Sequence, residues 1–348
     1  MNNAVFSVTS EALFWVIVPT YNPGPLAWAH WVSALQNQNC KPMQVIVVDS
    51  GSIDGSMGVS QQAGFTVLPI HAENFNHGGT RQWALDQCLE KARQLGQTKP
   101  DFVVYLTQDA VLAHSNALQE LLNAFQLPLV AATFGRQMPK PNATWLEAHA
   151  RNFNYPESAR TVSLQDKASL GIKACFLSNS FAAYRLQALQ AMGGFPSNLP
   201  LGEDTYTAAK LLLAGQSLRY QASAAVYHSH TYNGIQDFQR MFDTGVFHAQ
   251  NPWLRQSFGQ AEGEGLKLLS SQWQTLRQII STSSDKSTQA HVNHQPNPQA
   301  PGWFSGSFQL ISTNFIKFTA YKLGLAYRFV PAFLRPYFSM SKAFWTSQ

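Results

Sequence analysis

Asp109 ends an apolar stretch, Phe-Val-Val-Tyr-Leu-Thr-Gln-Asp, that runs from 102 to 109. A carboxylate at the end of a buried strand can hold a divalent cation against a diphosphate. Gln108 and Ala110 beside it add no second anion, so further ligands must come from elsewhere in the chain. His228 and His230, just after Val226-Tyr227, are the candidates; taken alone they equally suit a core or surface histidine pair. Glu203-Asp204 stands ahead of an apolar helical pattern, where a carboxylate is either an N-cap or a general base for a hydroxyl proton. Asp49, Ser50, Ser52 and Asp54 form a third cluster. Asp49 follows the run Val-Ile-Val-Val and can accept from a ribose hydroxyl or a base N–H, whereas Ser52 and Asp54 suit helix capping as well. Finally, Phe75-Asn76-His77-Gly78-Gly79-Thr80-Arg81 opens a helical pattern. Its glycines would let a ligand approach the backbone, a helix N-terminus attracts phosphate, and Arg81 supplies a forked cation. The alternative is a glycine turn with a surface arginine.

These residues need elements to carry them. Residues 14–19 are short, apolar and rich in β-branched side chains, the pattern of a buried parallel strand. A turn at 22–25 leads into Leu26, Trp28, Trp31, Val32 and Leu35, spaced for a helix over 26–38. Further strands are expected at 44–48, 66–70, 102–106 and 129–134, with a helix over 77–95 and another capped by Ser115. Beyond about 135 the pattern mixes: a strand over 175–185, a helix over 204–214, one or two strands within 218–228 and a helix over 235–249. Alternation of this kind gives an α/β fold with a doubly wound, mostly parallel sheet. Such sheets bind ligands at the carboxyl ends of their strands, where the polar clusters at 20–22, 49–54 and 107–109 fall.

Composition narrows the classes. The 348 residues carry 24 Lys+Arg against 19 Asp+Glu, a formal charge of +5, yet residues 286–348 contain six cations and no acid. Residues 1–285 are therefore at −1, which argues against a nucleic-acid partner for the body of the chain. No GxGxxG follows the first strand and no GxxxxGK[ST] occurs, against a dinucleotide dehydrogenase or a P-loop NTPase. Three scattered cysteines suit neither a disulfide framework nor a zinc site and read as reduced thiols. The N-terminus lacks the basic-then-apolar pattern of a signal peptide, and no apolar run reaches the ~18–20 residues of a spanning helix.

Taken in order, VIVPTYNPG (16–24), VIVVDSGSIDGS (45–56), FNHGGTR (75–81), LTQDA (106–110), GEDTYTAAKLLLAG (202–215) and YHSH (227–230) resemble the family 2 glycosyltransferases of the GT-A fold. FNHGGTR with TQDA is similar to the bacterial branch that uses dTDP-L-rhamnose to build O-antigen and other surface polysaccharides. The resemblance covers roughly residues 12–255. It implies that Pro19, Thr20, Tyr21 and Asn22 line a nucleoside pocket, that Asp49 contacts base or sugar with Ser50 alongside, and that Arg81, Gly79 and Gln108 lie near the donor diphosphate or sugar. It implies that Asp109 is the surviving carboxylate of a DxD metal element, completed by His228 or His230 and holding Mg²⁺ or Mn²⁺. It implies that Asp204 is the catalytic base of an inverting single displacement, with Glu203 as second candidate. Two positions depart from the family pattern: the DxD element reads Gln-Asp-Ala, and Gln82 follows the arginine where many relatives carry Asn.

The remainder divides into a helix and polar linker over 256–302 and an aromatic, basic segment over 303–348, after a glycosyltransferase domain over 1–255. Within the last, 13 of 46 residues are aromatic, and Phe304, Phe308, Ile311, Phe315 and Phe318 recur at helical spacing until Lys322 interrupts them. Pro331 and Pro336 prevent a continuous helix. Cations and aromatics without acids suit an anionic membrane interface; the alternative is a helix docked on the catalytic domain or in a homo-oligomer. The expected partners are thus a dTDP-sugar, a glycan or polyprenyl-diphosphate-linked acceptor, and the membrane's cytoplasmic face. The competing readings are a UDP-sugar donor on the same fold and a catalytically inactive sugar-nucleotide-binding assembly subunit.

Overall fold

The computed structural model describes residues 12–230, 232–285 and 302–346. Most of the linker expected at 281–301 therefore lies outside the described residues, although 281–285 continue a helix. The strands are β1 (Phe14–Thr20), β2 (Gln44–Asp49), β3 (Thr66–Pro69), β4 (Phe102–Leu106), β5 (Val111–Leu112), β6 (Val130–Met138), β7 (Arg160–Val162), β8 (Phe181–Arg185) and β9 (Ser217–Tyr227). Between them run α1 (Pro25–Gln36), α2 (Ser56–Gln62), α3 (His77–Gln94), α4 (Ala117–Asn123), α5 (Trp145–Asn154), α6 (Lys167–Leu170), α7 (Leu186–Ala191) and α8 (Glu203–Leu213). After β9 come α9 (Gly234–Gln250), α10 (Pro252–Phe258), α11 (Glu262–Asp285), α12 (Trp303–Leu325) and α13 (Lys342–Thr346).

One sheet runs in the order β3-β2-β1-β4-β8-β6-β9-β5, with β7 also paired to β9. Strands β3, β2, β1 and β4 are parallel, and β6 and β9 are parallel to each other. The antiparallel β8 lies between β4 and β6. Both faces of the sheet are covered, so its central strands are apolar at nearly every position. Ile17, Ile46, Val48, Val103 and Tyr105 pack toward α3 and α8, whereas Val16, Val18, Val45, Val47 and Val104 pack toward α1 and α4. The α/β expectation holds, with three local differences. The strand expected over 175–185 is extended only from Phe181, because 171–175 form a 3-10 turn. The helix expected to start at a Ser115 cap starts at Ala117 after Asn116, with no side-chain cap. And 217–227 form one strand, bulged against β6: Gly135 pairs with Gln221, but Arg136 pairs with Ala225.

The basic segment folds back on the body of the chain. α12 crosses α9 at Gly245 and Gly324; a Cβ on Gly324 would sit 2.1 Å from the carbonyl oxygen of Phe242. Phe242 and Val246 from α9 form a small core with Ala320, Tyr327, Val330 and Phe344. The boundary expected at 255 falls inside α10, and the segment from 303 shares a core with α9 instead of standing apart from it. Lys322 interrupts the aromatic stripe but not the helix. No described helix is long and apolar enough to cross a membrane.

Candidate active site

The loops after β1 and β2 are stitched together at the carboxyl end of the sheet. Ser52 Oγ accepts from the Asn22 backbone N–H (2.8 Å), Asn22 Oδ1 accepts from that of Ile53 (2.9 Å), and Asp54 accepts from that of Gly24 (2.7 Å). Asp54 also accepts from the Ser56 backbone and hydroxyl, holding the start of α2. Asp49, almost buried, accepts from the N–H groups of Gly51 and Ser52 and from the Ser52 hydroxyl. Its first task is thus to fold its own loop, a capping role that the sequence assigned more readily to Ser52 and Asp54. Thr20 is buried, with its hydroxyl directed to the Val48 carbonyl (3.3 Å), Pro19 is half-buried, and Tyr21 is exposed. Gln108 clamps the Tyr21 backbone at both ends, accepting from its N–H (2.7 Å) and donating to its carbonyl (3.1 Å). That amide is therefore spent on the loop. Ser50 differs: its hydroxyl is buried and without a hydrogen-bond partner among the described residues.

The glycine-arginine motif packs α3 against α8 and the 196 loop. Asn76 caps α3 by accepting from the Gly79 N–H (2.8 Å). Gly78 is glycine because a Cβ there would lie 2.0 Å from the Pro196 carbonyl oxygen and 3.0 Å from Glu203 Cβ. Arg81 is 4% exposed and donates to the His77 carbonyl (2.7 Å) and to Glu203 Oε1 (2.9 Å). It forms an interior ion pair that joins α3 to α8.

That pair separates the two adjacent carboxyls by environment. Glu203 is buried and held by Arg81 and by the Asn179 side chain (3.1 Å). Burial alone would raise its pKa, but the Arg81 guanidinium and the other partners hold it below the usual range. Asp204 accepts from the backbone N–H groups of Thr205 (2.7 Å) and Asn179 (3.3 Å) and, at 3.4 Å, from the Thr205 hydroxyl. Burial, and then the neighbouring Glu203 charge, push its carboxyl up to about 7. A carboxylate tuned to that range is well matched to general-base work near neutral pH.

Asp109, His228 and His230 converge. Asp109 Oδ1 lies 3.4 Å from His228 Nε2, and Asp109 Oδ2 lies 3.4 Å from His230 Nδ1. One ligand atom from each falls within 4.8 Å of the others. Lys140 Nζ stands 4.0 Å from Asp109, and Asp109 and His230 border a cavity of about 300 Å³ that Tyr232 and Gln236 also line. Burial opposes ionisation of Asp109, but the hydrogen bond and charge of His228, with His230, keep its pKa below the ordinary range. Burial and the adjacent His228 push His230 down to about 3. The cluster is thus one carboxylate and two neutral imidazoles, a donor set suited to a divalent cation. His228 Nε2 is buried and faces Asp109 Oδ1.

One short loop links the two centres. Asn179 holds both carboxyls of the 203–204 pair, while the adjacent Ser178 accepts from Gln137 Nε2 (2.9 Å), and Gln137 in turn meets His228 (2.8 Å). Gln137, Arg151 and Asn179 are the residues that sequence reasoning missed. The available signal was polar side chains within otherwise apolar runs, Gln137 at the end of β6 and Asn179 just before β8.

Residues 15–193 match the model of glycosyl transferase family 2. The chain belongs to that family. This glycosyltransferase is 42% identical over 334 residues to the O-antigen chain rhamnosyltransferase WbaN of Salmonella anatum, covering 96% of each chain. It is 40% identical over 333 residues to the O-antigen chain rhamnosyltransferase RfbN of Salmonella typhimurium strain LT2, covering 95% of this chain and 96% of that one. Among solved structures, the GT-A fold of this glycosyltransferase is like that of the mannosyltransferase PcManGT from Pyrobaculum calidifontis, solved with GDP-Man and Mn²⁺. The TM-score is 0.51 at 16% identity, over 95% of this chain and 85% of that one. Residues 1–349 of S. aureus TarS match with a TM-score of 0.50 at 17% identity, over 96% of this chain and 88% of that one.

Proposed function

We propose that this glycosyltransferase moves L-rhamnose from dTDP-L-rhamnose, with inversion, to a hydroxyl of a lipid-linked or polysaccharide acceptor in the assembly of an O-antigen-like glycan. The observation that carries the chemistry is the pairing of Asp204, a carboxylate poised near neutrality, with the Asp109–His228–His230 cluster through the 178–179 loop. The similarity along nearly the whole chain to two O-antigen chain rhamnosyltransferases supports the sugar and the pathway.

In this reading Asp204 accepts the acceptor's hydroxyl proton as its oxygen attacks the anomeric carbon from the face opposite the nucleotide. Arg81 and Asn179 keep Glu203 ionised, and that charge in turn keeps Asp204 basic. The stitched loops at 20–24 and 49–56 form the nucleoside side of the site, with the Ser50 hydroxyl left free to bond the donor. Asp109, His228 and His230 would hold Mg²⁺ or Mn²⁺, which when bound offsets the charge developing on the departing diphosphate. The enzyme works at the cytoplasmic face of the inner membrane. The supporting features are the exposed Phe304, Phe308, Ile311, Phe315 and Phe318 on α12 and the absence of acid from 286 onward.

A donor panel tests the proposal. Purified enzyme is offered dTDP-rhamnose, UDP-sugars and GDP-mannose, and donor-induced thermal shift and nucleotide release are read. Preference for dTDP-rhamnose is expected; a UDP-sugar preferred over it would overturn the donor assignment.

A further inference from the structure

His228 has two ring nitrogens, and only an unprotonated Nε2 can face a cation beside Asp109. Which nitrogen carries the proton depends on what the other one meets. Nδ1 lies 2.8 Å from Gln137 Oε1, on a side chain only 2% exposed. An amide could in principle present either its oxygen or its nitrogen here. Arg151 removes that freedom. Its Nη1 bonds to the same Gln137 atom, and a guanidinium only donates, so the atom is an acceptor oxygen. The other end of the amide, Nε2, then donates to Ser178 Oγ at 2.9 Å. An acceptor oxygen already bonded to Arg151 can meet Nδ1 only if Nδ1 carries the hydrogen. The remaining lone pair of the neutral ring is then on Nε2, the buried atom 3.4 Å from Asp109 Oδ1.

The backbone sets this meeting up. β6 and β9 run parallel, and after the Gly135 bulge Gln137 pairs with Val226 and Met138 with Tyr227. The His228 N–H continues the ladder to the Met138 carbonyl at 2.9 Å. At Gly135, a Cβ would lie 2.3 Å from the Phe181 ring and 2.5 Å from the Ala224 carbonyl oxygen, so the bulge needs glycine. Slipping β6 by one residue would turn Gln137 to the other face of the sheet.

We infer that Gln137, itself oriented by Arg151, is a positioning residue that fixes His228 as the Nδ1–H tautomer and so directs its Nε2 lone pair at a divalent cation beside Asp109. Its importance for catalysis rests on the metal reading proposed above; the tautomer rests on the Gln137 and Arg151 contacts.

Two measurements test it. In metal-free enzyme carrying ¹⁵N-histidine, the His228 ring, assigned by the signal lost in His228→Gln, should show a protonated Nδ1 and an unprotonated Nε2. A protonated Nε2 with a bare Nδ1 would overturn the inference, and this readout uses the unsubstituted protein, so it does not depend on a variant that folds. Mn²⁺ affinity is then followed by the electron paramagnetic resonance of free Mn²⁺. Gln137→Met removes the acceptor and should weaken binding about 10–100-fold, the range typical of lost partners behind a metal ligand. Gln137→Glu keeps an acceptor in the same place and should stay within a few-fold of the parent. Equal affinity in Gln137→Met, or equal loss in both variants, would sink the assignment. Parent enzyme that takes up no Mn²⁺ yet shows Nδ1–H would uphold the tautomer lock while removing the cation from the site.

Discussion

The two carboxyls at 203 and 204 are neighbours in sequence and opposites in chemistry. Glu203 is spent in the interior against Arg81 and Asn179, and its charge is one reason that Asp204 sits near 7. As a base Asp204 must be ionised, so kcat/KM should rise as pH increases toward about 7 and then level off. Asp204→Asn should lower kcat by at least about 100-fold, the low end of what general-base catalysis contributes, with the fold unchanged. Glu203→Gln removes the neighbouring negative charge and leaves Arg81 unbalanced. Both effects favour ionised Asp204, so the acid limb should move to lower pH; a limb that stays at 7 in this variant would contradict the coupling. Arg81→Met should cost roughly 3–5 kcal/mol of stability, because it strands Glu203 in the interior, and denaturant unfolding measures that. A merely surface arginine would cost far less. Asp109 and Asp204 were singled out in the primary structure, Asp109 as a carboxylate ending an apolar strand and Asp204 through the resemblance to the family. The burial of Arg81 against Glu203 was not visible there, because exposure alone distinguishes a phosphate ligand from a buried counter-ion.

At the level of elements, close backbone contact explains several of the glycines. Gly78 allows α3 to reach the 196 loop, and Gly245 with Gly324 lets α9 and α12 cross at backbone distance. Gly324→Val should lower stability by about 1–3 kcal/mol through overpacking, read as a fall in Tm, since the obstructing atoms are backbone and cannot rotate away. Asp243 ties the same helix pair to the C-terminal segment. It is fully buried on α9 and accepts from the Met340 N–H (2.9 Å), while Ser341 donates its hydroxyl to the Pro200 carbonyl, just ahead of the 203–204 pair. Local periodicity predicted α3, α8 and α9 within a few residues of their observed bounds. It could not predict that β8 would insert antiparallel between β4 and β6, because strand order depends on pairings far apart in sequence.

For the molecule as a whole, the aromatic segment is partly core and partly surface. Tyr327, Val330 and Phe344 are buried against α9, whereas Phe304, Phe308 and Phe315 are 87%, 75% and 69% exposed. Removing 303–348 would therefore uncover the apolar face of α9, and a truncated chain is expected to aggregate rather than become more soluble. Substitution of the exposed stripe is the cleaner test of the membrane proposal. Phe308→Ser with Phe315→Ser should leave Tm nearly unchanged yet reduce co-sedimentation with vesicles containing anionic lipid, and unchanged co-sedimentation would argue against that face. Strand periodicity, the carboxylates at strand ends and the ordered family motifs were sufficient to establish an α/β glycosyltransferase and its candidate base and metal carboxylate, since those signals are local. The buried Arg81–Glu203 pair, the Gln137–His228 contact and the outward turn of the phenylalanine stripe emerged only in three dimensions. The first two join groups far apart in sequence, and whether a side chain is spent inside or left facing solvent is set by packing, which no local pattern records.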